Sequence, residues 1–206
     1  MIAMKPDEKS HGGRPWSFDR EQAIETAMQL FWQHGYEGVS VGDLTKVIGV
    51  APPSLYAAFG NKAGLYQEAV KRYEDKYGSL DFASVANASS TAEAVRKLLE
   101  GAVRAVTDPA RPRGCMISSG MVACHPNLHS LALDAAARRE VLRESVANAL
   151  RPFTKNGDEA HRLARYVSAI LQGISIQARD GVAKEDLQAI VEDVVSGLKD
   201  RGDGNN

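Results

Sequence analysis

The chain has 206 residues, of which 44% are hydrophobic and 25% charged, and its formal net charge at pH 7 is −1. This composition is typical of one or two ordinary soluble domains, and a chain of this mass buries about 70% of its unfolded surface on folding. No run approaches the ~18–20 consecutive apolar residues of a membrane span. The near-neutral charge argues against a non-specific nucleic-acid binder, because such proteins are usually strongly basic.

The first 16 residues are polar and lack the apolar segment of a secretory signal. We therefore expect residues 1–16 to be a flexible arm and the protein to be cytoplasmic. Cys115 and Cys124 are too few for a disulfide framework. Cys124 lies near His125 and His129, but the CxxC and HExxH spacings of zinc sites are absent, so we predict no metal and no cofactor.

Four helices are predicted in close succession between residues 18 and 77. Asp19 and Gly35 are the cap and the stop of the first helix. Ser40 and Asp43 form a capping-box pattern that opens a short helix, which Gly49 ends. The first helix is further indicated by apolar residues at helical spacing, namely Ile24, Ala27, Met28 and Phe31.

A second short helix is predicted to begin at Pro52 and Pro53, because proline is tolerated in a first turn. Asn61 is placed to cap the fourth helix. Two short helices joined by a tight glycine-containing turn are typical of a helix-turn-helix, whose second helix enters the DNA major groove. The residues expected to face inward are Leu44, Ile48, Val50, Leu55 and Phe59.

Beyond residue 77 the pattern is also helical. We predict a turn-rich connector over 78–90, a helix capped by Thr91, a break at 108–114 and a short segment at 116–123. Longer helices follow at about 126–150, 159–179 and 184–198, and the tail 201–206 is expected to be disordered. Without strand alternation or internal repeats, the sequence predicts an all-α fold.

The stretch SVGDLTKVIGVAPPSLYAAFGNKAGLY, at 40–66, resembles the N-terminal signature of the TetR/AcrR family of repressors. The GRP of the arm, at 13–15, and the segment GISIQARDG, at 173–181, resemble one branch of that family. The resemblance implies nine or ten helices, a DNA-binding domain at 17–77, and an effector-binding and dimerisation domain at 78–200. It also implies a homodimer that represses from a palindromic operator and is released by a small molecule. Activation remains open, because the position of the operator relative to the promoter decides it.

Carried over residue by residue, the resemblance implies phosphate contacts from Thr45, Lys46 and Lys62. Lys62 also lies near a helix N-terminus, which favours an anion. The groove-facing residues would be Pro52, Ser54 and Tyr56. On its flexible arm, Arg14 would reach a minor groove. The alternatives are a half-buried packing role for Tyr56, solvated lysines at 46 and 62, and no role for Arg14.

The chain departs from the family pattern at Gly42, Ala57 and Ala58, where many members have polar or basic residues. The second short helix therefore lacks residues that form paired hydrogen bonds to bases, such as Arg or Asn. We expect readout by Ser54 and Tyr56, by apolar contacts to thymine methyl groups, and by DNA shape. The modest number of cations predicts few phosphate contacts and a shallow salt dependence.

The last two helices carry apolar stripes suited to an intersubunit four-helix bundle, although the same stripes would also build an intrachain core. These residues are Tyr166, Ile170, Ile174, Ile190, Val194 and Leu198. Apolar residues are likewise candidates for an effector pocket or for ordinary core. They are Leu99, Val103, Met116, Met121, Leu128 and Phe153.

Cys115 follows Arg111 and Arg113 at an expected helix start, and both features lower the pKa of a thiol. A thiol-based sensor of oxidants or electrophiles is therefore one hypothesis, and a small buried residue is the other. The competing functional classes are a small helical enzyme and a helical interaction module without DNA. The chain lacks the G-x-S-x-G, HExxH and phosphate-loop patterns, so we predict that it is not an enzyme.

Overall fold

The structure is a computed structural model, and it describes residues 18–78 and 80–203. Within these ranges the chain forms ten α-helices and no strand, which confirms the all-α prediction. Among the described residues, no helix combines the length and apolar character needed to cross a membrane. The helices are α1 Arg20–His34, α2 Val41–Ile48, α3 Pro52–Phe59, α4 Lys62–Tyr77, α5 Phe82–Ala86, α6 Thr91–Val106, α7 Met116–Ser119, α8 His129–Leu150, α9 Gly157–Arg179 and α10 Lys184–Asp203.

The predicted helix starts in the N-terminal part are confirmed by their hydrogen bonds. The Asp19 carboxylate accepts a hydrogen bond from the backbone N–H of Gln22 at the start of α1. Ser40 and Asp43 make both bonds of a capping box at the start of α2. Asn61 caps α4. Because these signals are local, the sequence alone locates this part of the fold.

Two helix limits differ from the sequence expectation. The cap of α6 is Ser90 rather than Thr91, since the Ser90 hydroxyl accepts from the N–H of Glu93. The α10 helix continues to Asp203, three residues into the segment expected to be disordered. The helix can continue this far because α10 contains no proline, and Gly197 lies within the helix and does not end it.

The buried apolar residues form two cores. The first, which we call the head core, combines α1–α4 with residues from α7, from the segment after it and from α8, namely Met116, Ile117, Met121, Leu131 and Ala135. The second core lies among α5, α6, α8, α9 and α10. The head core therefore contains residues from both sides of the domain boundary predicted at residues 77 and 78.

The stripes of α9 and α10 serve mainly the intrachain core. Ile174 and Val194 are 1% and 6% exposed and face the second core, because α9 and α10 both pack against α6. Ile170, Ile190 and Leu198 are half-buried against the same core. Of the six residues proposed for a dimer interface, Tyr166 has the most free surface, at 39% exposed.

Candidate DNA-binding surface and effector cavity

The helix-turn-helix is held together by three buried side chains. Leu44 of α2 and Leu55 of α3 are fully buried, and Phe59 of α3 is almost so. The Arg20 guanidinium lies 4.8 Å from the centre of the Phe59 ring. Gly49, with φ 78°, makes the tight turn between α2 and α3. This packing fixes one face of α3 and leaves the opposite face to solvent.

The residues predicted to contact DNA retain free surface wherever the structure describes them. Pro52 and Tyr56 are exposed on α3, and Ser54 is half-buried. On α2, Lys46 is exposed, and the half-buried Thr45 donates its hydroxyl hydrogen to the carbonyl of Gly42 at 3.1 Å. Arg14 lies outside the described residues. The specific DNA contacts remain predictions.

Lys62 is held in place at the first turn of α4. Its Nζ lies 4.1 Å from the centre of the Tyr36 ring. Partial burial lowers the pKa of Lys62, while the carboxylates of Glu37 and Asp43 oppose that shift. An approaching phosphate would favour the charged ammonium in the same way as these carboxylates do.

A cavity of about 60 Å³ lies where α1 and α4 meet the C-terminal helices. Its aromatic wall consists of Trp32, Tyr73 and Tyr77, and Leu80 and apolar residues of α6, α8 and α9 also line it. Several polar side chains face it, including Ser118 and Ser175, which are 9% and 1% exposed to solvent. An apolar lining with a few polar groups is typical of a small-molecule site.

The six residues proposed from sequence as pocket lining lie outside this cavity. Leu99 and Val103 are fully buried in the second core, and Phe153 is half-buried against it. Met121 and Leu128 belong to or pack against the head core. Met116 lines a separate space of about 10 Å³. The observed lining comes from helices distant in sequence, which periodicity cannot bring together.

Cys115 does line the cavity, and it is the N-cap residue of α7. Its Sγ accepts from the N–H of Ser118 at 3.4 Å. The two nearby arginines have other partners: Arg111 pairs with Asp108 at 2.5 Å, and Arg113 donates to the carbonyl of Val182 at 3.0 Å. Both cysteines are half-buried free thiols.

The aromatic wall of the cavity was not predicted from the sequence. Trp32 and Tyr73 are almost fully buried and meet edge to face at 4.7 Å between ring centres. Burial raises the pKa of Tyr73, and the neighbouring Cys115 adds to that rise. In sequence these residues have the spacing of ordinary core positions, so no local signal distinguishes them.

An all-α chain with a braced helix-turn-helix at one end and a helical domain behind it has the architecture of a DNA-binding transcriptional regulator. Residues 23–69 match the family model for bacterial regulatory proteins of the tetR family. The chain is 31% identical over 188 residues to the HTH-type transcriptional repressor ComR of Escherichia coli strain K12, covering 88% of this chain and 90% of ComR. It is 30% identical over 178 residues to the repressor BdcR of the same strain, covering 86% and 87%.

A solved structure extends the likeness to three dimensions. It contains a cysteine mutant of the TetR family transcriptional regulator CifR complexed with 26-bp double-strand operator DNA. The TM-score is 0.80 and the identity 34%, over 89% of this chain and 98% of that chain. This chain belongs to the TetR family. It is therefore a helix-turn-helix transcriptional regulator rather than an enzyme.

Proposed function

We propose that the protein is a homodimeric repressor that binds a palindromic operator and is released from it by a small molecule in the 60 Å³ cavity. The outer face of α3 carries this proposal, because it is exposed while the inner face is anchored by Leu55 and Phe59. ComR and BdcR are repressors, and the CifR structure contains operator DNA. A protein with this role works beside the chromosome, which supports a cytoplasmic location.

In this proposal Pro52, Ser54 and Tyr56 of α3 lie in the major groove. Thr45, Lys46 and Lys62 contact phosphates on either side of it. The exposed surface of the α3 residues supports their groove contacts, and the position of the Lys62 ammonium over the Tyr36 ring supports the phosphate contact of Lys62. The arm with Arg14 would add a minor-groove contact. Phosphate contacts fix the register of the protein on DNA, and groove contacts select the sequence.

Dimerisation is proposed through the exposed sides of α9 and α10. Tyr166 and Ile176 are 39% and 43% exposed on α9, so apolar surface remains after the intrachain core is filled. A Cβ added at Gly173, which lies between them, would meet nothing within 4 Å in the chain. Small residues at such a position allow two helices to approach closely, which supports a helical bundle between subunits.

Footprinting of the purified protein on the DNA upstream of its own gene tests the proposal. We expect protection of two half-sites whose centres lie about 34–36 Å apart, or a multiple of that distance. A small molecule that occupies the cavity should abolish the footprint. Protection that lacks two-fold symmetry, or no protection at all, would contradict the proposed dimeric repressor.

A thiol-based sensor is the second candidate, because Cys115 lines the cavity. An alkylating electrophile such as N-ethylmaleimide should then release the wild type from DNA and leave Cys115→Ser bound. The matched control is Cys124→Ser, which removes the other half-buried thiol. Equal release of the wild type and Cys115→Ser would remove Cys115 from the mechanism.

A further inference from the structure

Two segments that are far apart in the sequence meet in the structure. One is the loop and α7 around Arg113-Gly114-Cys115, and the other is the C-terminal end of α9 within GISIQARDG. We call their contact, together with the end of α1, the clasp. It consists of Trp32, Gln33, Gly114, Cys115, Ser119, Ser175 and Arg179.

The first half of the clasp joins the α7 segment to α9. The backbone N–H of Cys115 donates to the hydroxyl oxygen of Ser175 at 2.8 Å. Gly114 has φ 81°, and a Cβ at this position would lie 2.9 Å from the carbonyl oxygen of Ser175. Both the backbone conformation and the close approach therefore require glycine.

The second half joins both segments to α1. The indole Nε1–H of Trp32 donates to the carbonyl of Gly114 at 3.0 Å, in a buried bond. Arg179 of α9 donates to the hydroxyl of Ser119 at 3.0 Å and to the backbone carbonyl of Gln33 at 3.5 Å. Its Nε is buried and has no hydrogen-bond partner within the described part of the chain.

This arrangement connects the two functional ends of the molecule. The α1 helix packs along α2 and α4 and shares the head core with them, so it belongs to the DNA-binding part of the molecule. The α9 helix carries the proposed dimer surface. We propose that the clasp, through Arg179 above all, sets the orientation of each DNA-binding head relative to the dimer axis, and so fixes the spacing of the half-sites that the dimer accepts.

The clasp also borders the cavity. Trp32, Gly114, Cys115 and Ser175 all line it. A molecule bound there touches the connection between α1 and α9 directly. This inference rests on the proposed binding of an operator by a dimer.

Arg179→Gln tests the role of the clasp on two duplexes. One duplex carries the footprinted operator. The other has two base pairs inserted at its centre, which moves the half-sites apart by about 7 Å and rotates one relative to the other by about 70° around the duplex axis. We expect the wild type to prefer the natural spacing. In Arg179→Gln, affinity for the natural duplex should fall about 10-fold while affinity for the longer duplex changes little, so the preference collapses.

The ratio of the two affinities distinguishes a changed orientation of the DNA-binding domains from a loss of folded protein. Partial unfolding lowers the apparent affinity for both duplexes by the same factor. Ser175→Ala and Gly114→Ala should reduce the ratio as well, and Arg179→Lys should restore part of it. Arg104→Gln is the matched control, since Arg104 is an exposed cation on α6 whose side chain is 56% exposed.

The possible failures are distinct. An unchanged ratio in Arg179→Gln, with or without a uniform loss of affinity, would overturn the role of the clasp and leave the proposed function standing. A wild type that binds neither duplex would overturn the proposed function and the clasp's role with it.

Discussion

In the proposed function, single residues on α3 decide how the protein reads DNA. The exposed positions carry proline, tyrosine and alanine, so the helix offers few groups for paired hydrogen bonds to a base edge. Tyr56, at 45% exposed, is the largest side chain available to the groove. A tyrosine combines an apolar ring for thymine methyl groups with one hydroxyl for hydrogen bonding.

Tyr56→Ala should lower operator affinity about 10-fold or more, because a specific base contact contributes roughly 1–3 kcal/mol. Binding to a duplex of unrelated sequence should change little. Fluorescence anisotropy on both duplexes measures the effect. The control is Val141→Ala, which truncates another exposed apolar side chain on α8. Equal losses on both duplexes would show that Tyr56 does not read sequence.

Lys62 is expected to act differently, since a phosphate contact has no sequence preference. Lys62→Ala should weaken binding to every duplex and reduce the salt dependence of log K by about one unit of slope. Titrations at several salt concentrations measure this slope. Lys71→Ala, an exposed lysine on the same helix, should leave it unchanged. A Lys62→Ala protein with the wild-type slope would rule out the phosphate contact.

At the scale of elements, side-chain caps mark where α1, α2, α4 and α6 begin. The start of α6 shows this most clearly, because Glu93 accepts hydrogen bonds from the N–H and the hydroxyl of Ser89 and pairs with Lys97. The Ser89 hydroxyl bond is the largest cause that lowers the pKa of Glu93 to about 2. The folded state therefore favours the charged carboxylate.

This lowered pKa predicts a specific pH dependence. The stabilisation by Glu93 should be complete above its ordinary pKa of 4.5 and be lost as the pH falls toward about 2. Glu93→Gln should be less stable than the wild type at pH 7, and the difference should shrink from pH 4.5 to pH 3. Urea denaturation at each pH measures it. Glu185→Gln on α10 is the exposed control, and a difference that grew on acidification would contradict the assignment.

Sequence patterns predicted the helix-turn-helix well and the cavity poorly, for a physical reason. The caps at Asp19, Ser40 and Asn61 involve residues within three positions of one another. The cavity instead brings Trp32, Tyr73 and Ser175 together from three separate helices. Periodicity identifies which face of a helix is apolar, but it does not identify the helix that will cover that face.

At the scale of the whole molecule, we expect dimerisation to combine two DNA-binding domains of low individual specificity into one sequence-specific protein. Tyr166→Asp should raise the dimer dissociation constant at least about 30-fold, because a charge would be buried at the proposed interface. Operator affinity should fall with it. Sedimentation velocity measures the assembly state. Val141→Asp, an exposed position on α8, should remain dimeric, and a dimeric Tyr166→Asp protein would move the interface elsewhere.

The head core has a consequence for how such regulators can be recombined. Because Met116, Met121 and Leu131 complete the apolar interior of α1–α4, residues 18–78 do not contain all of their own core. A chimera that joined this segment to the C-terminal part of a relative would leave those contacts mismatched. Exchange of DNA specificity between family members should therefore succeed by grafting the outer face of α3, and fail by transplanting the head without residues 116–135.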